Sequence, residues 1–320
     1  MAEYLAALST SNIQKIIPQE WDASWQTYQS AWMQHTTILT MSPDGTGSVR
    51  LVAVQPFKKL AAWDGTSDIT AASYGVTHTN TLTPADFAQR YDFKRADVIH
   101  SPGLVQAKLV ESYNAVDMFL NTQVYSGYPG GFSDTVPDGN GSTTAVFSAS
   151  HKFGSTPSSQ SNLQTAALSN AAASTFLQRS INWKNANGDP AGLGYGKKFI
   201  ICAPANLETA TQIANNPLKV VQYASPTLAA TGSDLNILAG MYSVDVSPFL
   251  GDAAGGDDDD WFITEQRPDG TWARVIWVAG TPHITIVEDE KNHKVIITVS
   301  MRVTTSWAAW IGGVFGSNVA

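Results

Sequence analysis

The sequence predicts an α+β fold, and three observations carry that prediction. Apolar residues at Val105, Leu109, Tyr113, Val116, Leu120 and Val124 recur at steps of three or four, which keeps them on one face of a helix. At Val295, Ile297, Val299, Met301 and Val303 the step falls to two, with mostly polar residues between, as in a strand that lays one face on a core. Between these lies a helix–strand–helix unit: an alanine-rich stretch, the short β-branched run KKFIICAP, and LETATQIANN.

Taken in order, residues 1–45 read as an extension. Trp21, Trp25, Tyr28 and Trp32 stripe one helical face with aromatics that need a large surface to bury against. This chain's own core and a neighbouring subunit serve equally well. Residues 46–98 read as extended chain with turns, Val49, Leu51 and Ala53 alternating, followed by a stretch too poor in apolar surface for a core of its own. A long hairpin or arm fits, and its length points to a role outside its own subunit. The helix over 101–124 follows, with Ser101 placed to cap it and Pro102 suited to its first position. At about 1.5 Å per residue it is roughly 35 Å long. A loop rich in Gly, Ser and Pro comes next, then a second helix over roughly Leu163–Trp183, broken by NANGDPAGLGYG. KKFIICAP is a buried strand. Asn206 is placed to cap the helix after it, which Pro217 limits. Residues 217–270 read as loop-rich, with GDAAGGDDDD exposed. WARVIWV, HITIV and KVIITVSMRVTT are strands, the last two joined by the charged turn EDEKNHK. There is no internal repeat.

Composition narrows the function. The chain has 320 residues, 43% of them apolar, enough for a sizeable core. Charged residues make up 14%, well under the usual quarter or so, as expected of a surface largely covered by other copies or partners. A net charge of −8 disfavours a strongly basic nucleic-acid binder, because phosphate contacts need Lys and Arg. The single cysteine, Cys202, excludes an internal disulfide and a cysteine metal cage, and reads as a buried thiol. No signal-peptide pattern and no apolar run of membrane-spanning length is seen, so the expectation is a soluble protein made in the cytoplasm, with no membrane partner.

Catalytic constellations fail one by one, and no catalytic, cofactor-binding or metal residue is assigned. Gly188, Gly192, Gly194, Gly196 and Lys197 imitate a phosphate loop. But Ala191 stands where its first glycine belongs, Lys198 where Ser or Thr belongs, and the glycines precede a strand instead of opening a helix. Asp138 and Asn140 imitate a calcium loop whose last acid is replaced by Ala149. Asp257–Asp260 could hold a hard cation, although such a run is more often a solvated loop. His151 reads as a turn or packing residue.

The order of parts resembles the major capsid proteins of tailed phages, the Hong Kong 97-type (HK-97-like) fold, and is most similar to the Mu-like major head subunit family. Val146–Asn216 carries the resemblance: FSASHK, the helix LQTAALSNAAASTFLQRS, NGDPAGLG and KKFIICAPANLETATQIANN. DDDWFI and the closing strand with Arg302 add to it. The resemblance implies an N-terminal arm at 1–45, an E-loop at 46–98, a peripheral domain at 99–159 and 271–320 with spine helix 101–124, and an axial domain at 160–270. It implies a non-enzymatic shell subunit, assembling as hexamers and pentamers around double-stranded DNA without sequence-specific binding. The implied location is the virion, with assembly in the host cytoplasm. Implied partners are a portal and a scaffolding protein, the latter separate because the arm begins almost at Met1, and a decoration protein in some relatives. Some relatives cross-link Lys to Asn between subunits; Lys58 and Lys59 fall in the implied E-loop, no partner Asn can be named, and no cross-link is expected. An encapsulin-like compartment and a metal-dependent enzyme built on Asp257–Asp260 are the alternatives.

Overall fold

The computed structural model describes residues 28–39, 48–54, 76–137, 143–152, 159–223, 230–279, 282–309 and 311–319. In chain order it holds strands β1 (Thr37–Leu39), β2 (Val49–Val54), β3 (Val76–Leu82) and β4 (Ala85–Lys94), then helices α1 (Arg95–His100), α2 (Pro102–Tyr125) and α3 (Gly127–Gly130). Strands β5 (Thr135–Pro137), β6 (Thr143–Ala145) and β7 (Leu163–Gln164) lead to α4 (Asn170–Ile181), β8 (Lys198–Cys202) and α5 (Leu207–Asn215). The rest is strand: β9 (Leu218–Tyr223), β10 (Ala230–Leu235), β11 (Ser243–Val246), β12 (Trp261–Glu265), β13 (Arg274–Val278), β14 (His283–Asp289), β15 (Lys294–Trp307) and β16 (Val314–Ser317).

Two sheets organise the molecule. In the first, the long β15 pairs antiparallel with β4, β14 and β13, and β1 adds parallel to β13. Its Val295, Ile297, Val299, Met301 and Val303 are all buried, as their alternation predicts, each such side chain contributing about 1.5–3 kcal/mol. The second sheet runs β11-β8-β12-β16-β7. The final strand therefore leaves the sheet of β13–β15 and enters the other one. Strand β4, within the stretch read as an arm, pairs with β15 from Ala85↔Val303 to Lys94↔Lys294. Strands β2 and β3 pair antiparallel with each other. One hydrophobic cluster joins both sheets through Leu120, Tyr128, Phe147, Phe262 and Trp307.

Helix α2 matches the expected span to within a residue at each end, and Val116, Leu120 and Val124 are buried along it. Ser101 does not cap it. Its side chain makes no capping bond, and its N–H instead donates to Asp97, closing α1. The second helix is shorter than expected, because Leu163–Gln164 pair with β16 and Ser169 accepts from the Ala172 N–H to start the helix at Asn170. Asn206 does not cap α5 either; its amide donates to the Asp258 and Asp259 carbonyls. The aromatic stripe is not one continuous helix: Ser30 is extended, and only a 3-10 turn at Ala31–Gln34 follows. Within it Trp32 is buried in this chain's own core, whereas Trp21 and Trp25 lie outside the described residues. Residues 217–270 hold four strands instead of loops. Strands β8 and β12 are buried on both faces, so they show no alternation to read.

Candidate functional site

The most elaborate polar arrangement lies where the N-terminal segment, the end of α2 and the two sheets meet. His35 is fully buried, its Nε2 2.6 Å from Asp245 Oδ2 on β11. The Tyr125 hydroxyl donates to the same oxygen at 2.5 Å, and the Tyr128 hydroxyl lies 3.3 Å from His35 Nδ1. Burial, with the Asp245 carboxylate, pushes both phenols above the usual tyrosine range. A buried charged group persists only when it is paired and hydrogen-bonded, and four separate elements supply these partners.

Arg274 forms the second half of the joint. It is 3% exposed, and its Nε and Nη2 donate to the Val124 and Gln123 carbonyls at 3.2 and 2.8 Å. These belong to the last four carbonyls of α2, which lack intrahelical partners, and the cation sits at the negative end of the helix dipole. The guanidinium also donates to Thr305 Oγ1 and lies over the Trp307 ring, 5.1 Å from its centroid. Burial lowers its pKa to about 10. Gly127 leaves room for it, since a methyl there would overlap the guanidinium.

The glycine stretch that imitates a phosphate loop cradles an internal anion. The N–H groups of Gly194 and Gly196 donate to Glu265 Oε1 at 2.5 and 3.0 Å. Ser180 Oγ donates to Oε2, and Lys198 Nζ lies 3.7 Å from Oε1. Glu265 is 1% exposed. Gly194 has a φ of +95°, which favours glycine.

Asp257–Asp260 do not converge. The N–H of Asp259 donates to Asp257, Asp258 exchanges bonds with Asp252, and Asp260 turns inward to accept from Val319 N–H. Burial, with Asp257 and Asp259 adding to it, raises the Asp260 carboxyl to about 6. Among the described residues no group of three or more His, Cys, Asp or Glu is placed to hold a metal. His151 is buried, its Nε2 3.0 Å from both the Val146 carbonyl and Asn162 Oδ1. Cys202 is a buried free thiol, pushed up to about 12 by burial. Lys58, Lys59, Asp138 and Asn140 lie outside the described residues. No described helix is long and apolar enough to cross a membrane. Sequence reading missed His35, Asp245, Arg274 and Glu265. The first two stand 210 residues apart, and no spacing joins them.

What these groups do is hold elements of one chain together over nearly its whole length, and at that scale the architecture has counterparts. The structure is similar to the capsid of an empty GTA particle, with a TM-score of 0.55 at 9% identity over 92% of this chain and 91% of that one. It is similar to the mature capsid of bacteriophage PhiM1, with a TM-score of 0.52 at 12% identity over 92% and 88%. This is the HK97-like fold. The holo-SrpI encapsulin complex from Synechococcus elongatus is also similar, with a TM-score of 0.53 at 9% identity over 93% and 94%. No family model and no curated protein matches the sequence.

Proposed function

We propose that the chain is the major capsid protein of a tailed double-stranded DNA phage, a non-enzymatic subunit that self-assembles as hexamers and pentamers into an icosahedral shell. The observation that carries this is the fold likeness to phage-type capsids over nine-tenths of the chain, in both directions for the GTA capsid. The low charge content agrees with a surface covered by other copies. In this reading residues 1–45 are the arm and α2 is the spine helix. The pair β2–β3 belongs to the E-loop, and β4 joins the peripheral sheet with β13–β15. The axial domain is centred on β8, β11 and β12 and takes in β16. The sequence motifs around Val146–Asn216 support a likeness to the Mu-like head proteins. Portal, scaffolding and decoration proteins are its expected partners, the genome its contents, and the virion its location.

A second reading, an encapsulin-like compartment, draws on the encapsulin likeness. Contents separate the two. Particles from producing cells that protect DNA from nuclease support the virion, and particles that hold a protein cargo and no DNA support the compartment. A chain that stays monomeric by light scattering, with no shells in negative-stain images of producing cells, overturns both.

A further inference from the structure

At the end of α4 lies a cavity of about 280 Å³ that the joint does not use. Arg179 and Lys184 line it, with Ser159, Ser161 and Asn182, and no carboxylate does among the described residues. In a chain of net charge −8, a lining whose only charged residues among the described ones are two cations is a local reversal of sign. The frame is fixed. Gln160 clasps the Lys184 backbone, its Nε2 donating to the carbonyl at 3.0 Å and its Oε1 accepting from the N–H at 2.5 Å. Arg179 is anchored through one nitrogen, Nη1, which donates to the Leu163 carbonyl at 2.7 Å and to Ser161 Oγ at 3.4 Å. Its Nε and Nη2, and the Lys184 ammonium, have no acceptor among the described residues.

We propose that this cavity binds a phosphate group. A planar guanidinium held by one edge offers its other donors to oxyanion oxygens, an ammonium adds a point charge, and hydroxyl and amide groups complete the donors. Two of the last four carbonyls of α4, those of Gln178 and Ser180, already accept from the Asn182 and Trp183 N–H, and the two full cations outweigh the partial negative charge of the helix end. The Trp183 indole forms a wall, 2% exposed and packed against Phe315 and His151, so no base can stack on it. The site therefore reads phosphate alone, without sequence preference. Free pyrophosphate and a nucleic-acid backbone share that chemistry.

The test titrates the full chain with inorganic pyrophosphate and, separately, with a labelled single-stranded oligonucleotide at two salt concentrations. Lys184→Glu is the primary variant, because Lys184 is exposed and its hydrogen bonds to Gln160 run through the backbone. Lys291→Glu, in the exposed β14–β15 turn, makes the same charge change elsewhere. Lys184→Glu is expected to weaken binding by about tenfold or more, Arg179→Lys to weaken it by less, and Lys291→Glu to leave it unchanged. Loss of both probes together assigns the site to the phosphodiester backbone, with the salt slope falling by about 0.7 per contact removed. Binding and loss of pyrophosphate alone assign it to a free oxyanion. If the parent binds neither probe, or Lys184→Glu and Lys291→Glu bind alike, the proposal is overturned. The readout does not depend on whether shells form.

Discussion

Replacing Arg274 tests whether one buried cation fastens the long helix to the first sheet. In Arg274→Ala the Val124 carbonyl loses its side-chain donor, while Gln123 keeps Thr305 Oγ1 at 3.2 Å. One orphaned buried carbonyl costs about 1–3 kcal/mol, and the lost contact with Trp307 about 0.5–2 kcal/mol. Relief from burying the charge, the cause of the pKa near 10, offsets part of this. The expected net loss is about 2 kcal/mol. Arg274→Lys keeps the buried charge and loses the fork, so it costs at least as much. Gly127 supplies the control. In Gly127→Ala the new methyl overlaps the guanidinium, an overpacking cost of about 1–3 kcal/mol that vanishes when Arg274 is also Ala. Urea unfolding of the four chains by circular dichroism closes the cycle. Arg274→Ala within about 0.5 kcal/mol of the parent, or a Gly127→Ala cost equal in both backgrounds, refutes the reasoning.

Val116 sits inside α2 at 8% exposure, so Val116→Pro should cost about 3 kcal/mol or more and abolish shells; normal helicity and normal particles would contradict the proposed role of α2 as the spine helix. Glu265→Ala leaves the Gly194 and Gly196 N–H groups and Ser180 without their acceptor and the buried Lys198 without its counter-charge, an expected loss of about 3–5 kcal/mol. Glu265→Gln should cost less, because its carbonyl still accepts from both amides, and denaturation midpoints rank the pair. Asp260 binds its proton more tightly folded than unfolded, its pKa of about 6 lying above the ordinary carboxylate value of 3.8. Its ionisation therefore erodes stability as pH rises from about 4 through 6. Melting curves should show Asp260→Asn gaining on the parent with rising pH across that window, and a constant difference would show that Asp260 does not titrate there.

Elements with one wet face were located by their period, whereas fully buried ones were read only where a short β-branched run marked them, as in β8 and β13, and were missed in β12. Strand β15 and helix α2 each alternate between a buried stripe and an open one, so the period of their apolar residues locates them. Strand β12 is buried at every position, and WFITE reads the same for any buried segment. Local chemistry misled where a nearer partner won. Ser101 has the cap residue type, yet its N–H is taken by α1, and Asn206 faces the acidic loop across 52 residues. Ser169, by contrast, caps α4 with the type and position that capping demands, and was overlooked because the apolar pattern appeared to begin earlier. The joint lay beyond sequence reading for a different reason. His35, Tyr125 and Asp245 are each unremarkable in their own segments, and only the folded chain brings them within hydrogen-bonding distance.

The position of β16 sets a clock on the subunit. It lies between β12 and β7 in the second sheet, although β15, just before it in the chain, belongs to the first. A nascent chain that has emerged only as far as residue 310 can pair β4 with β15, but it has nothing to fill the slot beside β12 and leaves β7 without its neighbour. The β12–β16–β7 side of the second sheet, and the inward bond from Val319 to Asp260, form only once residues 314–319 are in place. Such long-range closure is slow compared with local structure. A chain built this way finishes its second sheet only after segments far apart along it have met.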